Sequence, residues 1–178
     1  MIQYFASGDI HSFYDEWMIA LASAGFDKTN PDHRIIVCGD LFDRGSQSKE
    51  CYDFAKLMHE QGRFIYIRGN HEDLLYDCVN AIRKRRNIGM HHMSNGTIKT
   101  LAQLIGCSEY DLLCYVCSDE DFEASVQPVL EFIDNTTVDY FELGDKVFVH
   151  GWIPTTCDED KYEIVDANWR DGGWREAR

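Results

Sequence analysis

The sequence is short of positive charge. Its 17 lysines and arginines face 31 aspartates and glutamates over 178 residues, a formal net charge of −14. That balance argues against general affinity for nucleic acid or an anionic membrane. A phosphate-bearing substrate stays admissible, because a metal site reverses the sign locally. Long hydrophobic runs are also missing: no stretch approaches the roughly 18–20 apolar residues of a membrane span. The first residues, Met1-Ile2-Gln3-Tyr4-Phe5-Ala6, carry no basic segment and run straight towards Gly8-Asp9. They do not read as a secretory leader, and a cytoplasmic setting is expected. Seven cysteines form an odd set without framework spacing, which suits reduced thiols. Cys114-Tyr115-Val116-Cys117 is a lone CxxC with Cys107 nearby, and structural zinc wants four ligands, so incidental thiols are the reading. No repeat, linker or low-complexity segment divides the chain, so residues 1–178 are expected to form a single domain.

An apolar content of 44%, with 13% aromatic residues, is ordinary for a globular protein. Ile2 to Ser7 reads as a first strand ending in Gly8-Asp9-Ile10-His11. Ser12 is placed as the cap of a helix through about Ala24, with Phe13, Trp17, Ala20, Leu21 and Ala24 along one side and Gly25 as its stop. Arg34-Ile35-Ile36-Val37-Cys38 is a second strand, breaking into Gly39-Asp40-Leu41-Phe42-Asp43-Arg44-Gly45. Ser48 to Gln61 has Tyr52, Ala55, Leu57 and Met58 at helical spacing. Arg63-Phe64-Ile65-Tyr66-Ile67 is a third strand, delivering Arg68-Gly69-Asn70-His71-Glu72. Strand and helix alternating in short units imply parallel strands with crossover helices.

Residues from about 73 to 135 read as a helical insert or lid beside the site. Arg83-Lys84-Arg85-Arg86 fits a solvated helix end, and His91-His92, with no partner at fixed spacing, fits surface or loop histidines. Further on, Thr137 to Glu142 and Lys146 to His150 flank Leu143-Gly144-Asp145 as a hairpin. Beyond Pro154 the chain is acidic and then tryptophan-rich, with Trp169 and Trp174, and yields no assignment.

The repeated placement matters most. Four apolar strands each end in residues able to hold a metal: Asp9 and His11, then Asp40, then Asn70, then His150. Strand ends are where open α/β sheets place their ligands. Carboxylate, imidazole and amide oxygen together suit Mn²⁺, Fe²⁺ or Zn²⁺ better than Ca²⁺. Asp-x-His, Gly-Asp-x-x-Asp-Arg-Gly, Gly-Asn-His-Glu and His-Gly, in that order, resemble the calcineurin-like metallophosphoesterase superfamily. Within it they look most like the bacterial and phage branch of the PPP serine/threonine phosphatases.

That resemblance implies an α/β fold, a layered α/β/β/α sandwich with mixed sheets. It also implies two divalent metal ions, Mn²⁺ first with Fe or Zn as alternatives. Asp9 and His11 would hold one, Asp40 would bridge, and Asn70 and His150 would hold the other. A hydroxide shared by the metals would attack phosphorus. Arg44 and Arg68 would bind the phosphate alongside Asn70, and His71, oriented by Asp43, would be the general acid. Phosphoserine or phosphothreonine in proteins is the first substrate expectation, with a small phosphate ester also admitted. A diadenosine-tetraphosphate-type phosphoanhydride is the alternative. A nucleotide pocket would want aromatic stacking in residues 73–135, a phosphoprotein groove an open surface.

The sequence departs from the family in one place of consequence. The family supplies a further histidine in a Gly-His motif after the His-Gly one, and no histidine follows His150 here. The expectation is a truncated chain that binds its second metal weakly and turns over slowly. A metal-binding form without catalysis is the third reading.

Overall fold

The structure, a computed structural model, describes residues 1–114 and 118–151, and the backbone of 155–158 and 161–164. Tyr115 to Cys117, Pro154 and the tryptophans Trp169 and Trp174 lie outside the described residues, and with them all of the CxxC but the exposed Cys114. The chain alternates as expected through β1 (Gln3–Ser7), α1 (Tyr14–Ser23), β2 (His33–Cys38), α2 (Ser48–Glu60), β3 (Phe64–Ile67) and α3 (Asn70–Arg83). Four helices follow, α4 (Met90–Asn95), α5 (Thr97–Ile105), α6 (Glu109–Leu113) and α7 (Asp119–Thr136). Then come β4 (Thr137–Val138) and two antiparallel pairs, β5 (Tyr140–Leu143) with β6 (Lys146–Val149) and β7 (Thr155–Asp158) with β8 (Lys161–Ile164).

The protein is an α/β fold around a parallel sheet in the order β1-β2-β3-β4. Phe5 pairs with Ile35, Ile35 with Phe64, and Tyr66 with Thr137, so the starts are staggered while the C-terminal ends are level to within a residue. The helices pack on the face that carries Phe5, Ile35, Val37 and Tyr66, while Tyr4 on the other face meets β5, so β2 reads as an unbroken apolar run with Ile35, Ile36 and Val37 fully buried. Burial of each such side chain contributes roughly 1.5–3 kcal/mol. Parallel and antiparallel strands stay in separate sheets here rather than mixing in one. Phe141 of β5 lies 6.1 Å from Tyr4 of β1, ring centre to ring centre, so the β5–β6 pair packs beside the main sheet.

Three local expectations are corrected. Ser12 does not cap α1; it has a positive φ of 59° and its Oγ meets Ser48 Oγ at 2.8 Å, while Phe13 occupies the capping position without a side-chain bond. The buried face of α1 is Trp17 and Leu21, with Tyr14 and Met18 packed beside them, whereas Phe13, Ala20 and Ala24 are exposed. Residues 137–142 do not form one strand: Thr137 and Val138 join the parallel sheet, and the chain turns at Asp139 into the hairpin.

The segment between 73 and 135 supplies much of the core. Leu75, Val79, Ile98, Leu101, Val126, Val129 and Ile133 are buried in the same cluster as the strand residues. Among the described residues no helix is long and apolar enough to cross a membrane.

Candidate active site

The loops leaving β1, β2, β3 and β6 meet at one end of the parallel sheet, and their backbone is unusual. Among the described residues six non-glycines have positive φ, and five of them, His11, Ser12, Asp40, Asp43 and Arg44, belong to these loops. Such conformations cost of order 1–3 kcal/mol each and persist only where surrounding contacts enforce them. The enforcing contacts are visible. The Asp40 carbonyl accepts from the amides of Ile10 and His11 at 3.0 and 2.9 Å, and Leu41 O accepts from Ser12 N at 2.9 Å. Gly39, with φ of 87°, lies so close to the His150 ring that a Cβ would stand 2.3 Å from Nδ1.

Glu72 is the main clamp. It is fully buried, and its carboxylate accepts from the amides of Asp40 (3.0 Å), Leu41 (3.0 Å) and Gly69 (2.7 Å) and from the Tyr66 hydroxyl (2.6 Å). One side chain therefore fixes the ends of β2 and β3 to each other. Burial pushes its carboxyl pKa up, against the opposing pull of the Tyr66 hydroxyl, while the charge of Asp40 adds to the rise. The sequence places Glu72 in a motif but gives it no role, because its partners are backbone groups some thirty residues away.

The expected metal-holding residues come together. Two clusters share Asp40: His11, Asp40 and His71 form one, and Asp9, Asp40 and His150 form the other. Hydrogen bonding sets the ring states. His11 Nδ1 faces the Phe42 carbonyl at 3.0 Å and His150 Nδ1 faces the Cys38 carbonyl at 2.8 Å. A carbonyl only accepts, so both Nδ1 atoms carry the proton, and in the neutral rings both Nε2 atoms are the ones able to bind a cation.

His11 Nε2 is buried without a hydrogen-bond partner, 3.7 Å from Asp9 Oδ2 and 3.8 Å from Asp40 Oδ2. His150 Nε2 stands 3.0 Å from Asn70 Oδ1 and 3.4 Å from Asp40 Oδ1. Lone pairs aimed at one another at that spacing are what a shared cation would join, since donors about 2.1 Å from an octahedral ion stand about 3.0 Å apart. Asp40 turns one oxygen towards His11 and the other towards His150. The donor set fits two divalent ions with Asp40 between them.

His71 sits beside this set, 2% exposed, with Nδ1 on Asp43 Oδ2 at 2.7 Å and Nε2 3.9 Å from Asp40 Oδ2. Burial is the largest single influence on its pKa and lowers it, but the Asp43 bond and the charges of Asp40 and Asp43 together outweigh it, and the net shift is upward. Asp43 is itself held: Oδ2 also accepts from Thr97 Oγ1 at 2.8 Å, and its amide donates to Thr100 Oγ1 at 3.0 Å. Ser48 Oγ links Thr100 back to Ser12 at 3.3 and 2.8 Å. Thr97 and Thr100 stand one turn apart on α5 and escape sequence reasoning, since nothing local ties them to Asp43.

The two arginines differ. Arg44 is exposed on an open cavity of about 350 Å³ shared with Met93, Ile98 and Lys99. Arg68 is half-buried in ion pairs with Asp73 (2.8 Å) and Asp134 (3.2 Å), over the ring of Tyr76. His91 and His92 stand with Asp77, and His92 is 1% exposed, so the surface reading fails for His92.

The loops at this end of the sheet thus gather two histidines, two aspartates and an asparagine, with Asp40 shared between the two clusters. The family model for calcineurin-like phosphoesterases matches residues 4–175, and the chain belongs to that family. Its divalent-metal requirement follows from that membership and from the donor set.

The chain is 34% identical over 74 residues to a bis(5'-nucleosyl)-tetraphosphatase PrpE [asymmetrical] of Bacillus velezensis, covering 38% of this chain and 30% of that protein. The same-named protein of Anoxybacillus flavithermus is 36% identical over 75 residues, covering 39% and 31%. The serine/threonine-protein phosphatase 2B catalytic subunit A1 of Saccharomyces cerevisiae is 39% identical over 67 residues, covering 36% and 12%. The matches thus span less than a third of these relatives' own length. A solved structure described as a putative diadenosine tetraphosphatase aligns with a TM-score of 0.47 at 13% identity, over 90% of this chain and 55% of that one.

Proposed function

We infer that the chain is a metal-dependent hydrolase of phosphoanhydrides in dinucleoside polyphosphates, acting at the strand-end site. The observation that carries the chemistry is the facing lone pairs of His11, His150, Asn70 and Asp40, with the His71–Asp43 pair beside them. Asp9, His11 and Asp40 would hold one divalent ion, and Asp40, Asn70 and His150 the other, with Mn²⁺ the first candidate and Fe or Zn alternatives. Such a pair supplies Lewis-acid stabilisation of phosphoryl charge and an ionised water at neutral pH.

The protein's own groups do the rest. Asp43 holds the His71 ring through Nδ1 and favours its charged form, so the other nitrogen can give a proton to the departing oxygen. Arg44 meets the phosphate from the exposed side, as a guanidinium fork suits phosphoryl oxygens. Arg68 is the weaker candidate for that role, because Asp73 and Asp134 already occupy its donors.

The substrate class is supported by the bis(5'-nucleosyl)-tetraphosphatase relatives. It is supported also by the cavity of about 350 Å³, where Arg44 and Lys99, with one acidic neighbour in Glu109, offer two cations to further phosphates and Met93 offers apolar contact. The similarity to a phosphatase 2B subunit favours a second reading, phosphoserine or phosphothreonine in proteins. Parallel assays with diadenosine tetraphosphate and a phosphothreonine peptide under Mn²⁺, on wild type and His71→Asn, test both. Turnover of the dinucleotide, lost in His71→Asn, is expected; peptide turnover alone would transfer the assignment to the second reading.

A further inference from the structure

A third group of metal-capable side chains shares no residue with the strand-end clusters: Asp77 on α3 with His91 and His92 on α4. Consecutive residues of a helix diverge by about 100°, so adjacent histidines have no helical reason to converge. Here the two rings lie 3.9 Å apart, centre to centre, and both aim Nε2 at one carboxylate oxygen. Asp77 Oδ2 is 3.6 Å from His91 Nε2 and 3.2 Å from His92 Nε2. A tetrahedral ion with bonds of 2.0–2.2 Å sets neighbouring ligand atoms about 3.4 Å apart. The carboxylate oxygen stands near that spacing from both nitrogens, and the donor atoms of the three residues all lie within 4.8 Å of one another.

Two independent features support a ligand here. A Cβ at Gly89 would stand 2.5 Å from His91 Cε1, so the absence of a side chain is what lets that ring fold back over the chain. His92 is 1% exposed, its Nδ1 has no hydrogen-bond partner, and its other nitrogen has only the 3.2 Å contact to Asp77. A metal on Nε2 would replace that single long contact with a stronger bond. The cavity that opens on the three, about 320 Å³, also exposes Asn80 and Asn87, whose amides or a water can complete a coordination shell. Lys84 and Arg86 line it as well, at exposed positions where solvent screens their charge.

We propose that Asp77, His91 and His92 form a binding site for a zinc-type divalent transition metal ion, separate from the strand-end centre. Two imidazoles and one carboxylate select such an ion over Mg²⁺ or Ca²⁺. The ion would staple α4 to α3. The last residue of α4, Asn95, accepts the Arg44 amide at 2.9 Å, so the staple also steadies the loop that carries Arg44.

Asp77 and His91 are 68% and 53% exposed, so Asp77→Asn and His91→Ala leave the core intact. Zinc content after equilibrium dialysis, with calorimetric titration by Zn²⁺, should show each variant holding one ion fewer than wild type, with that site weakened at least about tenfold. Asp40→Asn provides the converse: it should retain a zinc ion that Asp40→Asn/Asp77→Asn loses. Equal zinc content and affinity in wild type, Asp77→Asn and His91→Ala would overturn the proposal, as would an Asp40→Asn protein that binds no zinc.

Discussion

Charged side chains crowd two regions of this protein and do different work in each. At the end of β2 and β3, Asp43 and Glu72 are fully buried and Asp40 and His71 nearly so, each fixed by directed hydrogen bonds. On the outer face of the helical layer, Arg83 pairs with Glu123 and Arg85 with Asp119, at positions where Glu123 and Asp119 are 45% and 85% exposed. Water screens the second set, so its pairs are worth little. The first set sits where effective dielectric is low, so each contact counts for more and each missing contact costs more. The difference teaches why the proposed acid belongs to the buried set, where Asp43 and His71 are held at a fixed separation.

The contrast yields an ordered series of tests. His71→Asn removes the proposed acid and should lower kcat on the dinucleotide about 10²–10⁴-fold with a smaller change in KM; a drop under tenfold would place the acid elsewhere. Glu72→Gln puts amide hydrogens against backbone amides, and stranded buried donors cost about 1–3 kcal/mol each. Urea unfolding should show a loss of roughly 2–4 kcal/mol, and an unchanged midpoint would remove Glu72 as the clamp. Thr97→Val deletes one bond to the buried Asp43 carboxylate and should cost roughly 1.5–3 kcal/mol by the same measurement.

Arg83→Ala, on the screened face, should cost under about 1 kcal/mol. A loss as large as that for Thr97→Val would erase the distinction between the two regions.

The pH behaviour of the metal-free protein sharpens the same point. The pKa of His71 is raised above its ordinary 6.5 in the fold. Its contribution to stability is therefore fully present below 6.5 and is lost as pH rises through the folded-state value. Nuclear magnetic resonance titration of the ring in metal-free protein should give a midpoint above 6.5, falling on Asp43→Asn.

Much of the site is legible along the chain. Asp9, His11, Asp40 and Asn70 follow strands of the parallel sheet, whose ends share one edge, and His150 follows the apolar strand β6 of the hairpin. Asp43 and Arg44 share the Asp40 loop, so their closeness to the site needs no distant information. The sequence by itself thus determined the α/β class, the donor types and their order, because these depend on local periodicity and connection rules. Only the tertiary structure decided what holds and surrounds them. It sets Glu72 on three backbone amides, Thr97 on Asp43, Arg68 between Asp73 and Asp134, and Asp77 beside His91 and His92. Except for Glu72 with Gly69 and Arg68 with Asp73, those partners lie many residues apart, and no local pattern encodes such meetings. They arise from the packing of whole helices against the sheet.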